Sequence, residues 1–361
     1  MSEKGKMKGS IQTTTTFPRP CALRFRIPAV LLLFGLTGFL QALDFKLGGA
    51  REVPPPIPAI PKQQFLPDGH LTVFQDDSEV WMFWPFEDSY RTSGSSIFEM
   101  RDPIVSLPRG PAGRFDSGGA WLYTVLRGRE GRLLGFYHAE DRSFPLSPES
   151  NFIAYKSIAR CTSDDFGESW QNREQILTSR QPKPQRAKWS GLGDHCIVWD
   201  HEKRRLVCFY QEGGLLHMAE SRDSQGHAGT WRKWYRGGFT EPGLGGRSTP
   251  IPAFARHPGG NPSLLWNTFL ERWLIVWHQW RGDLWISSSR DLMNWTPPKI
   301  LLKKPWPSGK AWYPTLLGNS DKTGGEKLLL LYAEFPDADR HERRFMVRKL
   351  ILKKSVTPHA R

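Results

Sequence analysis

The sequence predicts an all-β protein, a five-bladed β-propeller of four-stranded blades, and three observations carry that prediction. Gly, Pro, Asn or Asp interrupts the interior every few residues, with 34 Gly and 29 Pro in 361 residues, so no window offers a long amphipathic helix. Aromatic residues make up 12% of the chain, 16 of them Trp, which suits many short strands closed by turns. One hairpin theme then recurs five times, as "LTVFQDDSEVWMFWPFED", "WLYTVLRGREGRLLGFYHAED", "HCIVWDHEKRRLVCFYQEGG", "SLLWNTFLERWLIVWHQWRGD" and "PTLLGNSDKTGGEKLLLLYAEF".

In order along the chain, the second strands of these hairpins end near Trp84, His138, Tyr210, Trp277 and Tyr332, which are 54, 72, 67 and 55 residues apart. Further strand-like segments follow each hairpin, such as "FIAYKSIARC" after the second and "LWISSS" after the fourth, so each unit has room for four strands. Radial repetition of such units is a propeller. Six blades are the less favoured count, and a stacked pair of sheets fits the regular recurrence poorly. The fifth unit runs out of chain after "FMVRKLILKK", so a segment ahead of the first, "LDFKL" or "QQFL", is expected to complete it and clasp the ring. The expected organisation is a signal peptide or anchor over 1–42, a Pro-rich lead-in over 43–68, the propeller over 69–354 and a tail over 355–361.

The N-terminus reads as an address. Six Lys or Arg precede the apolar run "IPAVLLLFGLTGFL", and Leu40-Gln41-Ala42 resembles a signal-peptidase site. Fourteen apolar residues are short for a bilayer span, so a secreted or periplasmic protein is expected, with anchoring by residues 27–40 as the alternative and the only membrane contact. The formal charge is +14, of which the first 42 residues supply +5. The remaining +9 is scattered in short clusters, so no nucleic-acid partner is expected. Cys161, Cys196 and Cys208 lack metal-type spacing; Cys196 and Cys208 flank one hairpin turn, as a disulfide or as two buried thiols.

"TSDDFGESW", Thr162 to Trp170, contains Ser-x-Asp-x-Gly-x-x-Trp through Ser163, Asp165, Gly167 and Trp170. An Asp can accept hydrogen bonds from the N–H groups of a tight turn, Gly can take positive φ, and Trp can pack back on the blade. "SRDSQGHAGTW" and "SRDLMNW" are looser versions at equivalent places. "TSDDFGESW" resembles the Asp box of sialidases and other propellers, and "SRDLMNW" is similar to a turn of five-bladed glycosidases of the arabinanase and invertase type. The resemblance implies a structural turn on the face away from the catalytic centre. A sialidase is the second alternative, but "FRIP" at Phe25 to Pro28 abuts the apolar signal segment and is read as coincidence.

The opposite face would then carry chemistry. Second-strand ends supply Glu87, His138, Glu140, Glu212, His278 and Glu334, and innermost-strand starts supply Asp116, Asp194, Asn261 and Tyr313. Carboxylates interleaved with aromatics suit a sugar site, where one carboxyl donates a proton and another stays ionised. The resembled glycosidases use an Asp base, an Asp that tunes and orients, and a Glu acid. That implies Asp116 and Asp194 for the Asp roles and Glu140 or Glu241 as acid, with His138, Glu212, Trp280, Arg281, Trp312 and Tyr313 contacting carbohydrate. His138 and Glu140, two apart on a strand, share a face. No metal cluster has convincing spacing and no cofactor is expected, although one axial cation such as calcium, held by dispersed ligands, stays open. The alternative is a propeller that binds carbohydrate or protein without cleaving it.

Overall fold

The computed structural model describes residues 43–53, 67–75, 79–101, 103–128, 131–144, 153–185, 189–336 and 343–354. The expected signal segment, "FRIP", the "QQFL" candidate and the 355–361 tail lie outside the described residues. The described chain is nearly all strand, its helical pieces no longer than the 3-10 turn Pro252–Phe254.

Strand β1 (Asp44–Glu52) comes first. A first group follows, of β2 (Thr72–Gln75), β3 (Val80–Phe86) and β4 (Asp88–Ser96), with β5 (Glu99–Met100) and β6 (Ile104–Leu107) both pairing β4. The second is β7 (Gly119–Arg127), β8 (Leu133–Asp141), β9 (Tyr155–Ser163) and β10 (Gln171–Thr178). The third is β11 (Ser190–Asp200), β12 (Arg205–Glu212), β13 (Leu215–Ser221), β14 (Trp231–Tyr235) and β15 (Gly238–Pro242). The fourth is β16 (Gly259–Asn267), β17 (Arg272–Gln279), β18 (Leu284–Ser289) and β19 (Lys299–Leu302). The last is β20 (Lys310–Leu317), β22 (Lys327–Phe335) and β23 (Arg344–Lys353), while β21 (Thr323–Gly324) pairs β16 in parallel. A two-residue parallel contact of β11 with β9 joins the second and third groups into one nine-stranded sheet.

Strand β1, within the segment expected to be lead-in, pairs antiparallel with β23 from Asp44 opposite Lys353 to Glu52 opposite Met346. It is the fourth strand of the last group, supplied from ahead of the first.

Second strands are nearly continuous in apolar residues because they are covered on both faces, as in "LLGFY" of β8 and "LLLLY" of β22. Five core clusters fill the gaps between successive groups. Phe83 packs with Tyr137, Phe136 with Tyr210, Phe209 with Trp277, Leu274 with Leu330, and Leu331 with Met82, so the fifth cluster returns to the first group. Each such side chain, fully buried, contributes roughly 1.5–3 kcal/mol.

The innermost strands repeat one further device. Backbone N–H groups of Val125, Ile197, Leu316 and Leu71 donate to the hydroxyls of Thr72, Thr124, Ser263 and Thr315 on a neighbouring innermost strand, at 2.8 to 3.2 Å. At the remaining junction Cys196 stands on the innermost strand, its sulfur accepting from Lys322 Nζ at 3.5 Å. Cys196 is therefore a buried thiol with a partner of its own. Its ladder partner is Phe209, while Cys208 lies opposite Ile197 and faces a different core, so the two thiols do not meet across the hairpin.

Turns between third and fourth strands are tied by aspartates. Asp165 Oδ1 accepts from Ser163 Oγ at 2.7 Å and from the Ser169 N–H at 2.9 Å, and the Gly167 N–H donates to Ser163 Oγ at 2.7 Å. Gly167 has φ 82, and a Cβ there would lie 2.6 Å from Phe83. Trp170 is buried and donates Nε1–H to Ser106 Oγ at 2.8 Å. Asp223 and Asp291 do the same work after β13 and β18.

Candidate functional site

These Asp turns and the first-to-second hairpin turns share one end of the strands, called here the lower face. The starts of the innermost strands share the other, the upper face, where the backbone is irregular in a repeated way. In β11, β16 and β20 two residues oppose one on the second strand: Asp194 and His195 oppose Tyr210, Asn261 and Pro262 oppose Trp277, and Tyr313 and Pro314 oppose Tyr332. The first residue of each pair has positive φ, 45 for Asp194, 50 for Asn261 and 56 for Tyr313. Non-Gly residues adopt this conformation at a cost and cluster at functional sites. A bulge of this kind re-aims its side chain. In β7 the register shifts at Tyr123.

Histidines of second strands hold two of these bulges. The N–H of Asp194 donates to His138 Nδ1 at 3.0 Å, and the N–H of Tyr313 to His278 Nδ1 at 3.3 Å. His138 Nε2 lies 3.3 Å from Glu140 Oε1, and its Nδ1 also lies 3.3 Å from Asp194 Oδ1. A neutral ring accepting from the Asp194 N–H and donating to Glu140 satisfies both backbone and carboxylate; a protonated ring bridges the two carboxylates instead. Burial opposes the charged ring, but the bonds to Asp194 and Glu140 outweigh it and raise its pKa. Burial likewise pushes the Asp194 carboxyl up, while the bond to His138 and the charge of Lys156 hold it well below its ordinary value.

From Glu140 a chain of ion pairs runs outward. Arg142 binds Glu140 at 2.8 Å and Glu87 at 3.4 Å, and Arg109 binds Glu87 at 3.0 Å.

On the other side of the opening stands Asp68, in the turn before β2. Its carboxylate pairs with Arg343 at 3.0 Å and accepts Trp121 Nε1–H at 3.3 Å, and its carbonyl accepts the Tyr123 hydroxyl at 3.1 Å. The Tyr123 and Tyr313 phenols have pKa values raised well above the ordinary 10.0, by burial first and then by carboxylate charge, that of Asp194 ahead of Asp68 for Tyr123 and that of Asp68 for Tyr313. His278 stacks on Trp312 at 4.9 Å and 18°, Trp280 meets Trp312 edge-on at 6.2 Å, and Trp280 is 38% exposed. The aromatics thus form a wall beside the carboxylates.

Of the residues expected from sequence, the structure brings together Asp194, His138, Glu140, Trp280, Trp312 and Tyr313. Asp116 is held elsewhere, fully buried in a turn before β7, with Tyr137 Oη at 3.0 Å and Arg173 at 3.3 Å. Glu241 lies on β15, the outer strand of its group, paired with Arg247 at 2.6 Å. Glu212 accepts Ser179 Oγ at 2.8 Å and Ser248 Oγ, and Arg281 is exposed in the turn after β17. Sequence reasoning passed over Asp68, Tyr123 and Arg343. For Asp68 a signal existed: "LPDGH" sets it directly ahead of the first innermost strand. Among the described residues no group of three or more His, Cys, Asp or Glu is placed to hold a metal ion.

No family model matches the sequence, and no curated protein matches it. Solved structures do match in fold. The catalytic domain of a GH62 α-L-arabinofuranosidase of Coprinopsis cinerea is 11% identical with a TM-score of 0.52, over 85% of this chain and 97% of that one. The α-L-arabinanase of Cellvibrio cellulosa complexed with arabinohexaose is 13% identical, TM-score 0.51, over 77% and 90%. Zg3597, a family 117 glycoside hydrolase of the marine bacterium Zobellia galactanivorans, is 8% identical, TM-score 0.54, over 86% and 90%. The chain shares the propeller fold of these glycoside hydrolases.

Proposed function

We propose that the five strand groups are the blades of a five-bladed propeller and that the protein is an exported, glycoside hydrolase-like protein acting on an oligo- or polysaccharide at the upper face. Ser163 to Trp170 is then an Asp box serving as a structural turn, and residues 1–42 direct export. The observation that carries the reading is that Tyr123 stands between Asp68, whose carbonyl its hydroxyl binds at 3.1 Å, and the His138 ring, 5.9 Å away, that holds Asp194 at 3.3 Å, beside the wall of Trp280 and Trp312. Carboxylates set against aromatic faces are the chemistry of a sugar site. The arabinohexaose complex of a protein with the same fold supports a glycan ligand.

In this reading Asp194, kept ionised, is the base; Asp68 orients the sugar; Glu140 is the proton donor, tuned by His138. One observation favours a second reading, binding without cleavage: both Glu140 oxygens are already engaged, one by His138 and one by Arg142. A general acid needs an oxygen free to carry a proton to the leaving group.

Release of reducing sugar from arabinan, galactan and other plant, algal and host glycans separates the two. Hydrolysis lost in Asp194→Asn and in Glu140→Gln, with substrate binding retained, supports the enzyme. Hydrolysis indifferent to both substitutions would overturn the site. Saturable binding without release from any glycan establishes the binding reading.

A further inference from the structure

The lower face holds a cavity of about 1240 Å³. Pockets for small ligands run roughly 300–1,000 Å³, so this one has room for several sugar rings. Arg204, Arg222, Arg290 and Lys322 line it, with Arg127 and His201 at its wall, against the acids Asp200 and Glu202. Asp200 is already paired with Arg205 at 3.0 Å, and Lys322 with Asp321 at 2.7 Å. Among the described residues Arg204, Arg222 and Arg290 have no carboxylate partner, and all three are exposed.

Two of these arginines come from the Asp turns. Arg222 and Arg290 immediately precede Asp223 and Asp291, whose hydrogen bonds fix the turns, so their backbones are held in place. In the third such turn the same place is taken by Asp164, which pairs with Arg132 at 2.6 Å. Arg204 stands at φ 50 in the β11–β12 turn. The cavity floor is aromatic: Trp199 and Trp266 are half-buried, and Trp266 rests edge-on against the buried Trp273 at 5.4 Å and 66°. Planar guanidinium forks match carboxylate and sulfate oxygens, and firmly backed indoles match the C–H faces of sugar rings.

We propose that this cavity is a second ligand site, for an acidic oligosaccharide whose uronate or sulfate groups pair with Arg204, Arg222 and Arg290 while its rings lie on Trp199 and Trp266. The site stands on residues at the opposite end of the innermost strands from Asp194, and it does not depend on chemistry at the upper face.

Calorimetry on the full chain tests it with tetragalacturonate, its neutral methyl ester and a sulfated galactan tetrasaccharide. At least one acidic tetrasaccharide is expected to bind, and the better of the two identifies the acid group. The methyl ester, the triple variant Arg204→Ala, Arg222→Ala, Arg290→Ala, and Trp266→Ala should each weaken that binding at least about tenfold. The triple variant changes exposed side chains, so its thermal unfolding should match wild type. Asp194→Asn should leave the affinity unchanged, which separates this site from the upper one. The proposal is overturned by equal affinity for the methyl ester, by an unaffected triple variant, by binding that disappears in Asp194→Asn, by failure of both acidic sugars to bind, or by duplex DNA or polyglutamate binding as tightly as they do.

Discussion

The upper and lower faces are built from opposite ends of the same five innermost strands, yet they handle charge in contrary ways. Above, the charged groups are answered by one another, from the exposed Arg109 through Glu87 and Arg142 to the buried Glu140 and His138 and on to Asp194. Below, Arg204, Arg222 and Arg290 are exposed and have no carboxylate partner among the described residues, while the turn aspartates are saturated with hydrogen bonds. Irregular backbone follows the same division. Along the innermost strands positive φ falls within the strand above, at Asp194, Asn261 and Tyr313, whereas in the hairpin turns that follow two of them below it falls at Arg204 and Glu271, where it is ordinary. The difference teaches that the upper face is shaped by distortion of regular structure, and the lower by the usual requirements of tight turns.

The largest effect expected is at the upper face: Asp194→Asn should lower glycan hydrolysis at least about 100-fold while the lower-face ligand is bound as before, a split readable in parallel rate and binding assays. A smaller loss, or a matching loss below, would erase the distinction.

Next comes acid stability. Burial holds the His195 and His278 rings near a pKa of about 3 against an ordinary 6.5. Below pH 6.5 the unfolded chain takes up protons that these folded rings refuse, so stability should fall as the pH drops from 6.5 towards 3. Denaturant titrations across that range should show a shallower slope for His278→Gln. The lower face has a different window. Asp165 and Asp291 are stabilised as anions, against burial, by turn hydrogen bonds, to about 2 from 3.8. Their contribution is present above 3.8 and vanishes as the pH falls through about 2.

Asp165→Ala should cost about 1 kcal/mol, because its hydrogen bonds lie at an exposed turn where water competes for them. A shift in the urea midpoint measures it, and glycan hydrolysis should be unchanged. The smallest effect is expected for Trp280→Ala: a several-fold loss of glycan affinity at the upper face, with the melting temperature unaltered, since its ring is partly exposed.

Much of the fold was legible because each hairpin writes its period into the chain. The residues that mark the repeat, Tyr210, Trp277 and Tyr332, turn out to be those opposite the bulges, so the pattern recorded a structural constraint. The site was legible where its residues belong to those hairpins, as with Asp194, His138 and Tyr313. Asp116 misled because a carboxylate shortly before a strand can serve a buried turn as well as an opening; its neighbours Tyr137 and Arg173 come from other strands and leave no local trace. Asp68 and Arg343 meet across about three quarters of the chain, and a contact of that kind has no signature in spacing. Register decided the cysteines: a one-residue offset sends Cys196 and Cys208 to opposite faces.

The clasp formed by β1 has a consequence in time. Arg348 on β23 donates to the Gly48 carbonyl at 2.9 Å across 300 residues, so β1, the first of the described strands, finds its partner only when β23, the last of them, has been made. The entropy of closing so long a loop grows only slowly with length, by about 0.6 kcal/mol per doubling, so the finished ring is not penalised in proportion. The delay falls on kinetics: a nascent chain must carry β1 with its hydrogen-bonding edges open, and shielding that edge is what any assisted folding of this protein has to achieve.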